Sequence, residues 1–275
     1  MTWIYSIPAW LVCILFIGGT SAFAAVGLLL ARNPRMGRLR AVANDFAGPV
    51  MGALGTILAV MLSFMVVTVW QEYDQSAQIV ETEASQISNL YHEVAVFPEP
   101  LRDQVRSAII RYVNVVVKQE WPLMSVGRES PAARRSAMAI VSLVQSYSPT
   151  TMAQQNSQAD ALDHAHAMLD AREDRLFQNS QAVPPLLWVM MLFVALVTLC
   201  SSYFFFVADV RAHLAMTIAL GAVIGAIFVV IAELDLPFRG DLQIPPTAYA
   251  HDYRVFADDP VSSKYLPNAP GSTQP

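Results

Sequence analysis

Four stretches of this chain carry no Asp, Glu, Lys or Arg and are each long enough to cross a bilayer. They are Met1–Ala31, Phe46–Gln71, Ala182–Ala208 and Ala212–Ala232. A spanning helix needs about 20 such residues. A charge at its centre costs about 2.5–3.5 kcal/mol, whereas each Leu, Ile, Val or Phe there contributes roughly −0.3 to −0.6. Lipid offers the backbone no hydrogen-bond partner, so each stretch must satisfy its own and is predicted to be helical. The rest of the composition agrees. Only 14% of the 275 residues are charged, against about 25% for a soluble domain. A net charge of −5 gives no basic patch of the kind a nucleic-acid binder needs, so no nucleic acid is expected as a partner. The lipid bilayer is.

The first stretch contains Ala22-Phe23-Ala24, which has the form of a cleavage site. The preceding MTWIYSIP lacks a basic residue, however, and the apolar run continues to a basic cluster, so an uncleaved span is predicted. That cluster, RNPRMGRLR, places Arg32, Arg35, Arg38 and Arg40 beside the membrane, and Arg211 lies in the short loop before span four. The positive-inside rule turns both loops to the cytoplasm of a bacterial inner membrane. The N-terminus, the middle region and the tail are then extracytoplasmic.

The predicted fold class is all-α: a four-span membrane protein with a helical extramembrane insert between spans two and three. Residues 1–71 form one transmembrane hairpin, 72–181 the insert, 182–236 a second hairpin, and 237–275 a proline-rich tail, disordered from about Asp258. Within the insert, apolar residues recur at helical spacing between apparent breaks at Pro98, Pro100, Pro122, Pro131 and Pro149. The sets are Leu101, Val105, Ala108, Tyr112, Val115 and Val116; then Ala137, Ile140, Val144 and Tyr147; then Leu162, Ala165, Leu169 and Leu176, with Thr150 and Thr151 as candidate N-caps.

Span two and the first insert helix read as one continuous helix, free of proline from Pro49 to Pro98. A heptad seam runs through Tyr73, Ala77, Val80, Ala84, Ile87, Tyr91 and Val94. Carried backward it selects Trp70, Val66, Ser63, Ala59, Thr56 and Gly52, small and weakly polar residues that permit close packing in lipid. The seam either packs against the other spans of the same chain or lines the axis of a symmetric homo-oligomer. In the second case Thr56, Ala59, Ser63 and Val66 line a pore. Gly48, Gly52 and Gly55 suit helix packing, and Asn44 and Asp45 suit an N-cap of span two.

No catalytic, cofactor or metal motif is present, and no enzyme is predicted. His164 and His166 stand two apart and point to opposite sides of a helix, so they cannot chelate together, although Asp160 shares a face with His164 and Asp170 with His166. Cys13 and Cys200 read as small buried hydrophobes. At the predicted outer face stand Glu72, Asp74, Glu233, Asp235, Arg239 and Asp241. They form either an acidic mouth that attracts cations or the ordinary polar exits of helices, with Arg239 paired to a neighbouring acid.

The segments NDFAG, WQEYDQS, EWPLMSVGRESPAA and LDLPFRGDLQI together resemble a bacterial family of bestrophin-like membrane proteins over roughly residues 1–250. The resemblance implies four spans, a helical insert, and kinship with pentameric channels whose second span lines the pore. In bestrophins the insert faces the cytoplasm, opposite to the orientation that the arginine loop gives here. Two functions follow: an oligomeric ion channel with span two on the axis, or a membrane-anchored sensory module whose helical bundle receives a ligand.

Overall fold

The computed structural model describes residues 7–32, 37–205, 207, 209–250 and 256, and of 37–45 the backbone alone. Trp3, Tyr5, the side chains of Arg35, Arg38 and Arg40, and the tail from Asp258 lie outside the described residues. The described residues are helical, with no strand: α1 (Ala9–Ala31), α2 (Gly37–Glu93), α3 (Leu101–Val115), α4 (Trp121–Met124), α5 (Pro131–Gln145), α6 (Met152–Ser180), α7 (Pro185–Ser202) and α8 (Val210–Leu234). Four of them, α1, α2, α7 and α8, are long and apolar enough to cross a membrane. The α2 helix begins at Gly37 and runs through Pro49, so Asn44 and Asp45 lie within it and do not cap it. The chain divides into two compact units.

One unit comprises residues 1–73, 182–236 and 240–242. Its core joins Leu58, Leu62, Met65 and Val69 of α2 to Trp188, Met191 and Leu199 of α7 and Ile224, Phe228 and Ile231 of α8. The closest helix pair is α1 with α8. Gly221 and Gly225 form a small-xxx-small step that lets the backbones touch. A Cβ at Gly221 would lie 2.8 Å from the Thr20 carbonyl oxygen, and one at Gly225 2.7 Å from that of Phe16. The Thr20 hydroxyl sits 2.7 Å from the Gly221 carbonyl and 2.6 Å from that of Phe16, beside a π-helical turn over Ile14–Gly18. Hydroxyl contacts of this kind hold helices together where lipid supplies no hydrophobic drive. By contrast, nothing among the described residues lies within 4 Å of a Cβ built at Gly48, Gly52 or Gly55. Among the described residues those glycines make no close helix contact. Cys13 and Cys200 are free and half-buried, not fully buried.

The other unit takes in residues 74–181, 237–239 and the segment from Gln243. Thr151 caps α6 by accepting from the Gln154 N–H, and Ser130 caps α5 by accepting from Ala133. Pro122 is no break: it occupies the first turn of α4, entered directly from a π-helical turn over Val116–Glu120. The α4 helix ends in a Schellman motif, with Gly127 at φ +74° and the Arg128 N–H bonded to the Leu123 carbonyl.

Two sequence phases are corrected. On α6 the buried face is Ala161, Ala165, Met168, Arg172, Arg175 and Asn179; Leu162, Leu169 and Leu176 only flank it. Along α2 the buried positions Leu58, Leu62, Met65 and Val69 recur 18 residues later as Ser76, Val80, Glu83 and Ile87. Eighteen residues are five turns at 3.6 per turn, so the buried stripe follows an α-helical period and not the heptad's 3.5. The heptad seam therefore coincides with buried residues at Val80, Ala84, Ile87, Tyr91 and Val94 but leaves the core within span two.

Candidate functional site

Span two presents three faces. At 100° per residue, the core face of Leu58, Leu62, Met65 and Val69 and the face of Gly52, Thr56, Ala59, Ser63 and Val66 are about 110° apart. Gly52, Thr56, Ala59 and Ser63 are exposed and Val66 is half-buried. The Thr56 hydroxyl folds back to the Gly52 carbonyl at 2.9 Å. A third face holds Ile57, Val60, Phe64 and Val67, all at least half exposed. Bulky apolar side chains are what lipid solvates well. The second face is small from Gly52 to Ser63, where glycine, alanine and hydroxyl residues follow one another, and turns bulky only at Val66 and Trp70.

Four of the six charged residues expected at the outer face make a local hydrogen bond. Asp241 accepts the N–H of Ala9, the first residue of α1, at 2.7 Å. It thereby satisfies one of that helix's orphan donors. Asp235 accepts the Val183 N–H at 2.6 Å, just ahead of α7. Glu72 is half-buried, and Glu233 is 7% exposed. In the other unit, Asp74 is exposed and accepts from the Gln78 amide at 2.7 Å, and Arg239 donates to the Asn179 carbonyl at 3.0 Å. Asp241 and Asp235 thus behave as helix-end acceptors. Arg32, the first of the loop arginines, donates to the Val207 carbonyl at 2.7 Å.

A second polar site is one that hydrophobic patterning misses. Glu83, Glu120, Arg172 and Arg175 are buried together in the unit outside the spans. Arg175, fully buried, donates to Glu83 at 2.7 Å and to Glu120 at 3.0 Å; Arg172 donates to Glu120 at 2.5 and 3.2 Å. The Tyr112 hydroxyl donates to Glu83 at 2.6 Å, and the Ser130 N–H to Glu120 at 3.3 Å. The Arg175 guanidinium also lies over the Trp121 ring, 5.1 Å from its centroid, and the Trp121 indole N–H bonds the Ile244 carbonyl. The π-helical turn ends on Glu120 and hands over to Trp121, so both point inward. Two carboxylates and two guanidiniums leave no net charge.

Burial alone would push the Glu120 carboxyl up, but Arg175 and Arg172 outweigh it and hold it below the ordinary carboxylate range. Burial, with the Glu83 charge behind it, pushes the Tyr112 and Tyr249 hydroxyls well above the usual tyrosine value. Burial opposes the Arg175 charge, yet Glu83 prevails and its proton is held more firmly than in free arginine. The arrangement is a closed ionic lock. Its sequence signals are the three-residue step from Arg172 to Arg175 and the register of Glu83 with Val80 and Ile87. Of the histidines, His164 pairs with Gln86 at 2.8 Å, and His166 is exposed.

A family model described as the bestrophin-like domain matches residues 18–249. The chain belongs to the bestrophin-like family. Solved structures agree at the level of fold. A crystal structure of a bacterial bestrophin homolog from Klebsiella pneumoniae, in a single-residue variant, superposes with a TM-score of 0.64 at 12% identity, covering 87% of this chain and 97% of that one. Another, solved by zinc phasing, gives 0.63 at 11% identity over 91% and 97%. A structure described only as a membrane protein gives 0.63 at 11% identity over 89% and 96%. No curated protein sequence matches the chain. This bestrophin-like chain is therefore an all-helical integral membrane protein.

Proposed function

We propose that this bestrophin-like chain assembles around a common axis into an ion-conducting pore, with the small face of span two lining it. Thr56, Ala59, Ser63 and Val66 would line the conduit. The observation that carries the reading is that one exposed face of α2 is bulky and apolar while the adjacent exposed face is small and weakly polar. A helix surrounded by lipid has no use for the second face. A helix bordering a water column or a sister helix does. Backbone and hydroxyl oxygens along such a wall can replace part of an ion's hydration shell. The bacterial bestrophin homologs that share the fold support the same reading.

Purified protein in liposomes is expected to pass ions. Ser63→Trp, on the lining face, is expected to suppress that flux, whereas Ile57→Trp, on the lipid face, leaves it intact. Equal flux through both variants, or a monomer as the only species in mild detergent, would overturn the proposal.

A further inference from the structure

A cavity of about 620 Å³ opens between α2 and α8, walled by Val66, Val67, Trp70, Val229 and Val230, with Glu233 at its polar end. Small-molecule sites run about 300–1,000 Å³. Both helices run toward the polar end of their spans here, so Trp70 and Glu233 stand at the mouth and the valines lie about 6 Å deeper, four residues back. Glu233 is 7% exposed and lines the groove. A carboxylate set against an apolar wall is poorly solvated. Within a span it marks a site whose counter-group is still to be named. That group does not come from the apolar stretches of these two helices: no Lys or Arg lies between Phe46 and Tyr73 or between Ala212 and Leu236. Asp241 adds a second negative charge close to Glu233.

We propose that this groove binds an amphiphile with a single alkyl chain and a cationic ammonium head, the chain lying along the valines and the head held between the Glu233 carboxylate and the Trp70 indole. Charge selects the head. The carboxylate supplies a charge-assisted hydrogen bond, and tryptophan is the best cation–π partner for an ammonium. A phospholipid ammonium would bring its phosphate toward Asp241, which disfavours it. The proposal does not rest on ion conduction or on oligomer number: Val66 is shared with the proposed lining face of span two, but the positions the test changes, Val230 and Glu233, stand on α8.

The test uses the full chain in phosphatidylcholine nanodiscs, with tetradecylamine and tetradecanol brominated at the sixth carbon from the head as probes and quenching of tryptophan fluorescence as readout. The ammonium is expected to bind at least about tenfold more tightly than the alcohol, the equivalent of one charge-assisted hydrogen bond. Glu233→Gln is expected to abolish that preference, and Val230→Phe to remove saturable quenching by either probe. The same preference in Glu233→Gln as in the wild type would overturn the assignment. So would displacement of the amine by phosphatidylethanolamine added to the discs. So too would the absence of saturable quenching in the wild type together with loss of the oligomer in Val230→Phe, which would mean that a second copy fills the groove. Size-exclusion of each variant and ion flux are measured separately, so failure here leaves the pore proposal standing and failure of the pore leaves this one.

Discussion

Replacing Arg175 with methionine isolates the ionic lock. In the intact protein its guanidinium serves two carboxylates, Glu83 at 2.7 Å and Glu120 at 3.0 Å, with no exposure to water. The substitution leaves Glu120 with Arg172 and leaves Glu83 with the Tyr112 hydroxyl as its hydrogen-bond partner. Methionine roughly preserves the volume, so the cost is mainly that of a buried, uncompensated carboxylate, about 3–5 kcal/mol. Neutralising that carboxylate as well should recover most of the loss. The double variant Glu83→Gln with Arg175→Met is expected within about 1–2 kcal/mol of the wild type, because removing both halves of a buried pair is often nearly neutral. Hydrogen exchange of α6 peptides, measured by mass spectrometry on the full chain in detergent, reads the opening free energy of this unit directly. The reasoning is refuted if Arg175→Met costs less than about 1 kcal/mol, or if the two substitutions add within about 0.5 kcal/mol, as independent sites do.

Acid should weaken the same unit. The Glu120 carboxyl is held below its ordinary value, so its contribution is complete above the unfolded value of about 4.3 and is lost as pH falls through the lower folded one. Exchange protection of α6 is expected to be flat from neutral pH to about pH 5 and to drop in more acidic solution, with Glu120→Gln flattening the drop. In the membrane unit, Gly221→Ala puts a methyl 2.8 Å from the Thr20 carbonyl oxygen. It is expected to cost about 1–3 kcal/mol in thermal unfolding. Gly52→Ala meets nothing within 4 Å, so it should leave stability unchanged or raise it slightly. Orientation can be read with a membrane-impermeant thiol reagent on Val126→Cys, a position that is 66% exposed, after Cys13 and Cys200 are changed to serine. Labelling in intact cells is the outcome expected from the arginine loop, and labelling only after permeabilisation would reverse the assignment.

The spans were legible because lipid makes charge expensive, so their absence of Asp, Glu, Lys and Arg is itself a structural signal. The α6 helix was legible as a helix but not in phase, because its inward face carries Arg172 and Arg175, which a hydrophobic pattern assigns to solvent. Among the glycines, the Gly48–Gly52 step and the Gly221–Gly225 step have the same spacing, yet among the described residues only the second packs against another helix. Spacing reports that two backbones can approach; it does not say whose. The ionic lock stayed hidden for a related reason. Its charged members come from three segments far apart in sequence, and each alone looks like a solvated surface charge.

The segment after the last span has a consequence for biogenesis. Phe238, Ile244 and Tyr249 leave the ribosome last among the described neighbours of Trp121, yet their rings and carbonyl complete the environment of that indole. Asp241, between them in the chain, caps the helix made first. Neither unit can reach its final form before residues 238–249 have left the ribosome. Both wait on the same dozen residues, so maturation of the two is synchronised by chain order.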